Sequence, residues 1–174
     1  MATAPPRAVP RVTRRLPRAE RREVILRSAA QLFGRRGYAA ASMEDIAAAA
    51  GVTKLILYRH FASKADLYRA VLQRVADQLK QTNYQIVVTG HTDNKPIGKG
   101  LVNRYPTNWE LAGARAASVV RLFVDSGLPA GRLLAASMGE TRPVAPNDTP
   151  DGRTKNRRIE IRLRPVVVDE PGPA

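Results

Sequence analysis

The chain contains no cysteine among its 174 residues and only two histidines, His60 and His91. The absence of cysteine excludes disulfides and cysteine-bound zinc or iron–sulfur centres. Two histidines do not favour a transition-metal site built by the protein, and we expect neither a metal nor a cofactor. The sequence also offers no nucleophile–base pair, phosphate-binding loop or catalytic pair of acids, so it favours a binding protein over an enzyme.

Long hydrophobic runs are missing as well. Nothing in the sequence approaches the roughly 18 consecutive apolar residues that a membrane span needs. The basic N-terminus is interrupted by prolines and arginines and contains no apolar run typical of a signal peptide. These absences predict a chain without a membrane span and with a cytoplasmic location.

Positive charge is in excess and is unevenly distributed. The formal net charge is +14. Residues 1–80 hold 16 Lys and Arg against 6 Asp and Glu, whereas residues 81–174 hold 13 against 9. This asymmetry indicates an anionic partner for the first half of the chain, either nucleic acid or an anionic membrane surface.

The periodicity of apolar residues predicts an α+β chain in which helices come first and strands follow. Predicted helices cover residues 18–37, 43–50, 54–61, 63–80 and 108–126, and predicted strands cover 84–89, 133–138 and 159–163. We expect an N-terminal three-helix helix-turn-helix bundle within residues 18–80, followed by a small βαββ sheet domain over residues 81–164. Residues 1–17 are interpreted as a disordered basic arm or a solvated tail, 139–155 as a polar loop, and 165–174 as a disordered tail.

Two of the short predicted helices are joined at Gly51-Val52-Thr53 with the spacing of a helix-turn-helix. Glycine suits a turn that needs positive φ, and Val52 packs the turn. Ser42, Thr53 and Ser63 are start signals for the helices that follow them. The helix after Thr53 is therefore expected to be presented to the major groove of DNA.

The stretch from Asp45 to Leu67, together with Ile25 to Phe33 and Gly37-Tyr38 upstream, closely resembles the tetracycline-repressor (TetR) family over about residues 21–75. The resemblance implies a DNA-binding transcriptional regulator that acts as a repressor. It also implies a set of DNA-binding residues: Thr53, Lys54, Ile56, Tyr58, Arg59, His60 and Lys64.

The implied roles differ among these residues. Thr53 caps the reading helix and donates to a phosphate, Lys54 reaches base edges or phosphate, and Lys64 adds charge at the start of the next helix. Tyr58 and His60 are implied phosphate contacts, although with Phe61 they also fit an aromatic cluster that closes a small core. Ile46, Leu57 and Phe61 are predicted core residues. The family more often has small or hydroxylated residues where Leu55 and Ile56 stand; these two either touch thymine methyl groups or are packed away.

Three later segments, at residues 90–94, 108–116 and 147–161, closely resemble the OmpA C-terminal domain over about residues 84–164. The version in the flagellar stator protein MotB is the nearest. The resemblance implies non-covalent binding of peptidoglycan through its diaminopimelate-containing peptide. Asp93 would pair with the ammonium of the ligand and Arg115 with its carboxylate. The implied peptidoglycan-binding residues are Thr92, Asp93, Asn108, Leu111, Arg115 and Arg158.

The residues themselves agree in part with this assignment. Arg115 falls on the apolar stripe of its helix, four residues after Leu111 and four before Val119. A buried cation needs a carboxylate or a ligand. Asp93, in the loop after the first strand, is a reasonable neighbour, so a structural ion pair between the two is the alternative to a ligand site.

Each resemblance covers only part of the usual architecture of its family. The usual functions of the two families do not explain why both occur in one chain. The helical dimerisation domain of TetR proteins is missing, and so are the first strand and helix of the OmpA-type domain. We expect the helix over 63–80 to serve both parts. Leu67 and Val71 would pack on the DNA-binding core, and Val75 and Leu79 would cover the sheet where the first helix of an OmpA-type domain belongs. A natural fusion, a recombined gene and a constructed chimera all fit. The expected partners are double-stranded DNA, peptidoglycan and a second copy of the chain.

Overall fold

The computed structural model describes residues 17–165. Its helices are α1 (Arg18–Ala40), α2 (Met43–Ala49), α3 (Lys54–His60), α4 (Lys64–Leu79), α5 (Asn108–Asp125) and α6 (Pro150–Asn156), and its strands are β1 (Gln85–Gly90), β2 (Leu133–Ser137) and β3 (Ile159–Arg164). A short 3₁₀ helix, Ala130–Arg132, precedes β2. The predicted α+β class is confirmed. The segments interpreted as disordered, 1–17 and 165–174, lie outside the described residues except for residues 17 and 165.

The three predicted start signals cap the helices of the N-terminal bundle. The side chains of Ser42, Thr53 and Ser63 each accept a hydrogen bond from the backbone N–H three residues later. Between α2 and α3 the chain turns at Gly51, whose φ of 64° lies in the region that glycine adopts without strain. The helix-turn-helix geometry thus follows from local hydrogen bonds and one glycine.

The N-terminal helices enclose a continuous apolar core. Ile25, Ile46, Leu57 and Leu67 are fully buried in it, and Phe33 and Val71 are among the residues that complete it. Since Leu67 and Val71 belong to α4, this helix closes the bundle formed by α1, α2 and α3. Burying a side chain of this size contributes about 1.5–3 kcal/mol.

The three strands form one sheet in the order β2-β1-β3. β1 pairs in parallel with β2 and antiparallel with β3, so that Val88 lies between Ala135 and Ile161. The parallel connection from β1 to β2 passes through α5, as a crossover requires. This is the predicted βαββ arrangement, with the most buried strand in the centre.

A second apolar core lies between the sheet and helices α4 and α5. Phe123 of α5 and Ile86 of β1 are fully buried in it, and α4 contributes Leu72, Ala76 and Leu79. Val75 packs against the same core. The C-terminal half of α4 therefore covers the sheet while its N-terminal half closes the helical bundle, which confirms the double role predicted for this helix.

Helix α6 is an element that the sequence reasoning missed, since residues 139–155 were predicted to be a polar loop. Thr149 caps this helix by accepting a hydrogen bond from the N–H of Gly152, and Pro150 occupies its first turn. The helix lacks an apolar stripe, and its last residue is the fully buried Asn156. The Asn156 amide bonds to the backbone of Val144 and Ala145, so polar contacts hold this helix in place.

Helix α1 also differs from its prediction at one end. Gly37 was predicted to stop the helix, and it has a non-helical φ of 75° and ψ of 167°, but helical structure resumes and runs to Ala40. Among the helices of residues 17–165, none is long and apolar enough to cross a membrane.

Candidate nucleic-acid interface and ligand pocket

Helix α3 is held by its inner face and exposes its outer face. Leu57 is fully buried and anchors the helix on the bundle. On the other side Leu55 is 63% exposed and Tyr58 is 42% exposed, and Arg59 is also exposed, whereas Ile56 is half-buried. Of the two apolar residues that depart from the family pattern, Leu55 is therefore the one better placed to meet a thymine methyl group.

Lys54, in the first turn of α3, already has an anionic neighbour. Its ammonium forms an ion pair with Glu44 of α2, and it also lies 5.9 Å from the ring centroid of Tyr58. The hydrogen bond with Glu44 raises the pKa of Lys54 and correspondingly lowers the pKa of Glu44. Both side chains are more than half exposed, so a phosphate could replace Glu44 with little loss of stability.

His60 stands at the end of α3 beside the first turn of α1. Burial lowers its pKa most, and the positive field of Arg18, Arg21 and Arg22 lowers it further. The guanidinium of Arg22 also lies 5.2 Å from the ring centroid of Phe61. Sequence reasoning did not select these three arginines, although their spacing places them on one face of a helix.

Lys64 has local partners in the corner between α1 and α4. Its ammonium donates to the carbonyl oxygen of Ala39 at 3.3 Å and lies 4.6 Å from the ring centroid of Tyr38. Partial burial lowers its pKa. A phosphate contact by Lys64 stays a prediction, and it would require the ammonium to leave or share the carbonyl.

A small cavity of about 100 Å³ lies between the loop after β1 and the N-terminal half of α5. Five of the six predicted peptidoglycan-binding residues line it: Thr92, Asp93, Asn108, Leu111 and Arg115. The Asn108 amide donates to the carbonyl oxygens of Asp93 and Lys95 at 3.3 and 3.1 Å, which ties the loop to the helix. The fold thus brings together residues that are up to 23 positions apart.

The carboxylate of Asp93 pairs with Arg157 and not with Arg115. Its Oδ2 lies 2.5 Å from Nη1 of Arg157, and its Oδ1 accepts the N–H of Lys95. Within residues 17–165, Arg115 makes no hydrogen bond or ion pair. The expected alternative, an Asp93–Arg115 ion pair, is therefore not formed.

The burial expected for Arg115 from its place on the apolar stripe is wrong. Its side chain is exposed, although it lines two concave regions of the surface. Desolvation lowers its pKa, with a further lowering by Arg157, and Asp93 opposes both. Because the side chain is exposed, it keeps part of its hydration and the desolvation is only partial. An arginine in this setting is still fully charged at neutral pH.

Arg158, the sixth predicted residue, does not line this cavity. Its guanidinium donates to Glu160 at 2.5 and 2.8 Å and to the carbonyl oxygen of Arg142. Arg157 occupies the place expected for it. The two residues follow the end of α6, and because this helix was not predicted, the sequence could not tell which arginine would face Asp93.

Two buried polar side chains beside Asp93 lack hydrogen-bond partners. They are Thr92, through its hydroxyl, and His91, through both ring nitrogens. Nε2 of His91 is 3.5 Å from Glu160, too far for a strong bond. Burial lowers the pKa of His91, so the ring is neutral at neutral pH. The orphaned hydroxyl of Thr92 lines the small cavity and can bond to a ligand there.

The comparisons with known proteins agree with this two-part organisation. The model described as "OmpA family" matches residues 63–157, more than half of the chain. The chain belongs to the OmpA family. Residues 25–71 also match the model described as "Bacterial regulatory proteins, tetR family". This OmpA-family chain therefore joins a TetR-type N-terminal segment to an OmpA-like segment, as the motifs indicated.

Relatives of both kinds are found. The chain is 49% identical over 91 residues to the HTH-type transcriptional activator FasR of Mycolicibacterium smegmatis, covering 52% of this chain and 41% of FasR. It is 40% identical over 81 residues to Motility protein B of Bacillus subtilis, covering 46% of this chain and 30% of that protein. The chain thus spans less than half the length of these curated relatives.

A solved structure resembles the second part. The cell wall anchor of the T6SS from Pseudomonas aeruginosa is 44% identical, with a TM-score of 0.50, over 55% of this chain and 65% of that one. None of the families and relatives named above is described as an enzyme.

The two family matches overlap on residues 63–71, the first half of α4. The OmpA match was expected to begin near residue 84 without the first helix of that domain, but it begins at residue 63. The match therefore includes α4, the helix already expected to cover the sheet where the first helix of that domain belongs. This assignment agrees with the position of Leu72, Ala76 and Leu79 against the sheet.

Proposed function

We propose that the chain binds duplex DNA as a TetR-type transcriptional regulator in the cytoplasm and represses transcription by occupying its site. The observation that carries this proposal is the exposed outer face of α3, held on a four-helix core by Leu57. A basic patch formed by Arg18, Arg22 and Arg59 borders that face. An exposed helix flanked by positive charge suits the major groove and the adjoining phosphates.

Within this surface the residues divide by the contact they suit. Leu55 and Lys54 protrude from the first turn of α3 and would meet base edges. Tyr58, Arg59 and His60 lie nearer its end and would meet phosphates, with Thr53 at its start and Ile56 in support. Phosphate contacts by His60 and Arg59 would also offset the mutual repulsion of the basic side chains on α1.

The test is selection of binding duplexes from a random pool, followed by affinity measurement on the selected sequence. Replacing Arg59 by Ala is expected to weaken binding roughly tenfold, since one phosphate contact is lost. The control is Arg121→Ala, which removes the same charge from an exposed position on α5. Failure to enrich any sequence, or equal losses in both variants, would refute specific reading by α3.

Two copies of the chain are part of this proposal. A single short helix-turn-helix makes few base contacts, and useful specificity normally comes from a two-fold pair of reading helices. We therefore expect a homodimer, which light scattering at micromolar concentration measures directly. A monomeric mass would restrict the chain to weak DNA binding.

A second function is favoured by the cavity around Asp93, and we propose that it binds the diaminopimelate-containing peptide of peptidoglycan. Arg115 has no partner in residues 17–165, and the buried hydroxyl of Thr92 is unsatisfied. A ligand carboxylate would pair with Arg115, and its ammonium with Asp93. Asn108 and Leu111 would complete the site, with Arg157 in the place expected for Arg158.

Cosedimentation with purified peptidoglycan tests this second function. Arg115→Gln and Asp93→Asn are each expected to reduce the bound fraction at least about tenfold, because each leaves a ligand charge unpaired. Arg121→Gln should sediment like the original chain. Comparing Arg157→Gln with Arg158→Gln shows which of the two arginines contributes to the site. Only Arg157→Gln should weaken binding of peptidoglycan. Retention of Arg115→Gln on the cell wall would contradict the assignment.

A further inference from the structure

A second and larger cavity, of about 380 Å³, lies where the helical bundle meets the OmpA-like part. Phe33, Tyr38 and Tyr68 line it from the bundle, and Arg115, Ser118 and Val119 of α5 line it from the other side. It is distinct from the small cavity around Asp93, although Arg115 and Arg157 border both. Its volume is in the range of small-molecule sites.

One side of this cavity is an aromatic wall. The ring centroid of Tyr68 is 5.0 Å from that of Phe33 and 4.9 Å from that of Tyr38, both in edge-on arrangements. Phe33 and Tyr38 are stacked at 6.0 Å. Such a wall offers flat apolar area together with the edges of rings, and it suits another planar ring.

The opposite side is cationic and incompletely neutralised. Arg157 pairs with Asp93 and Arg158 pairs with Glu160, but Arg115 has no such partner within residues 17–165. A neighbouring cavity that shares Phe33 and Arg158 adds Arg35 and Lys155, for which the described part likewise contains no ion pair. Basic side chains from both parts of the chain thus lie close together at the junction. A bound anion would reduce the repulsion among them.

We propose that this cavity is a binding site for a small aromatic anion, such as an aryl carboxylate or sulfonate. Its ring packs against Phe33, Tyr38 and Tyr68, and its charged group pairs with Arg115. The aromatic wall and the unpaired guanidinium of Arg115 line the same cavity. A neutral ring would contact only the wall, and a non-aromatic anion would contact only the guanidinium.

The position of the cavity also gives the ligand a means of affecting the DNA-binding surface, a consequence that rests on the proposed function. Phe33 and Tyr38 flank the non-helical Gly37 at the end of α1, and this corner meets the carbonyl of Arg157 across the junction. A ligand held by both sides fixes the angle between the bundle and the sheet. Since coupling between sites is reciprocal, ligand and DNA must alter each other's affinity by the same factor.

The probe is anilinonaphthalene sulfonate, whose fluorescence reports burial, and N-phenylnaphthylamine is its neutral counterpart with the same rings. The sulfonate is expected to bind the full chain with one site and at least about tenfold more tightly than the neutral dye. Arg115→Gln should remove this difference while leaving the neutral dye unaffected. Arg121→Gln, on the same helix but outside the cavity, should change neither. Equal binding of both dyes, or an unchanged preference in Arg115→Gln, would overturn the proposal.

A second pair of variants separates this site from the peptidoglycan pocket. Ser118→Trp fills the cavity from α5, whereas Ala117→Trp places the same side chain on the adjacent exposed position. Only the first should abolish sulfonate binding, and it should leave cosedimentation with peptidoglycan intact. Equal dye binding by the two variants would place the dye elsewhere. If the dye binds as expected but does not alter DNA affinity, the coupling is refuted while the ligand site is still supported. If the chain binds no DNA at all, the proposed function is refuted, and the dye measurements still test the ligand site.

Discussion

Raising the salt concentration from about 50 mM to about 200 mM is expected to weaken binding of duplex DNA by at least about a thousandfold. Each phosphate neutralised by Lys or Arg releases condensed counterions, and that release is less favourable at high salt. The reading surface offers Lys54 and Arg59 on α3 and Arg18 and Arg22 on α1, and a dimer doubles this number. Residues 1–80 hold 16 Lys and Arg against 6 Asp and Glu, which supports many such contacts.

Fluorescence anisotropy of a labelled duplex at several salt concentrations measures this dependence. The slope of log affinity against log salt should become shallower by about one contact per subunit in Arg59→Ala. In Arg121→Ala it should be unchanged. A flat salt response in the original chain would remove the electrostatic basis of the proposal, even if some DNA were bound.

Replacing Gly90 by Ala is expected to destabilise the sheet by about 3 kcal/mol or more, a large share of the stability of a domain. Gly90 ends β1 directly beneath α5, and a Cβ atom there would overlap the carbonyl oxygen of Ala112. A backbone atom of a packed helix cannot move aside without disturbing the contacts of Ala116, Val119 and Phe123 with the sheet. Urea denaturation followed by circular dichroism measures the change in the free energy of unfolding.

Gly113→Ala is the matched control on the helix itself. A Cβ at this position would lie 3.7 Å from the Cβ of Ser137, an ordinary contact. Because alanine favours helix over glycine, this variant should be more stable by about 0.5–1 kcal/mol. An undiminished unfolding midpoint in Gly90→Ala would show that α5 does not approach β1 this closely.

The helical bundle was largely predictable from the sequence because its determinants are local. Ser42, Thr53 and Ser63 act through bonds that span three residues, and Gly51 acts through its own φ. Helix α6 was not predicted because its determinants are not local. Its position depends on the buried amide of Asn156, which bonds to backbone groups 11 and 12 residues away and to the side chain of Asn147.

The candidate sites were predictable only as sets of residues. The motifs selected Asp93, Asn108 and Arg115, and the fold brings these to one cavity. They could not say that Asp93 would pair with Arg157 in place of Arg115, because the choice depends on how α6 ends. The local partners of Lys64 likewise depend on the corner between α1 and α4, which is formed by residues 25 positions apart.

The sequence by itself determined the type of each long element, the helix-turn-helix and the two family resemblances, since these follow from periodicity, capping and short motifs. Only the tertiary structure decided how the two parts share α4, with Leu67 and Val71 in one core and Leu72 and Ala76 in the other. It also created the cavity between Phe33 and Arg115. Successive turns of one helix present different faces to different neighbours, and which neighbours they meet depends on packing between segments far apart in the chain.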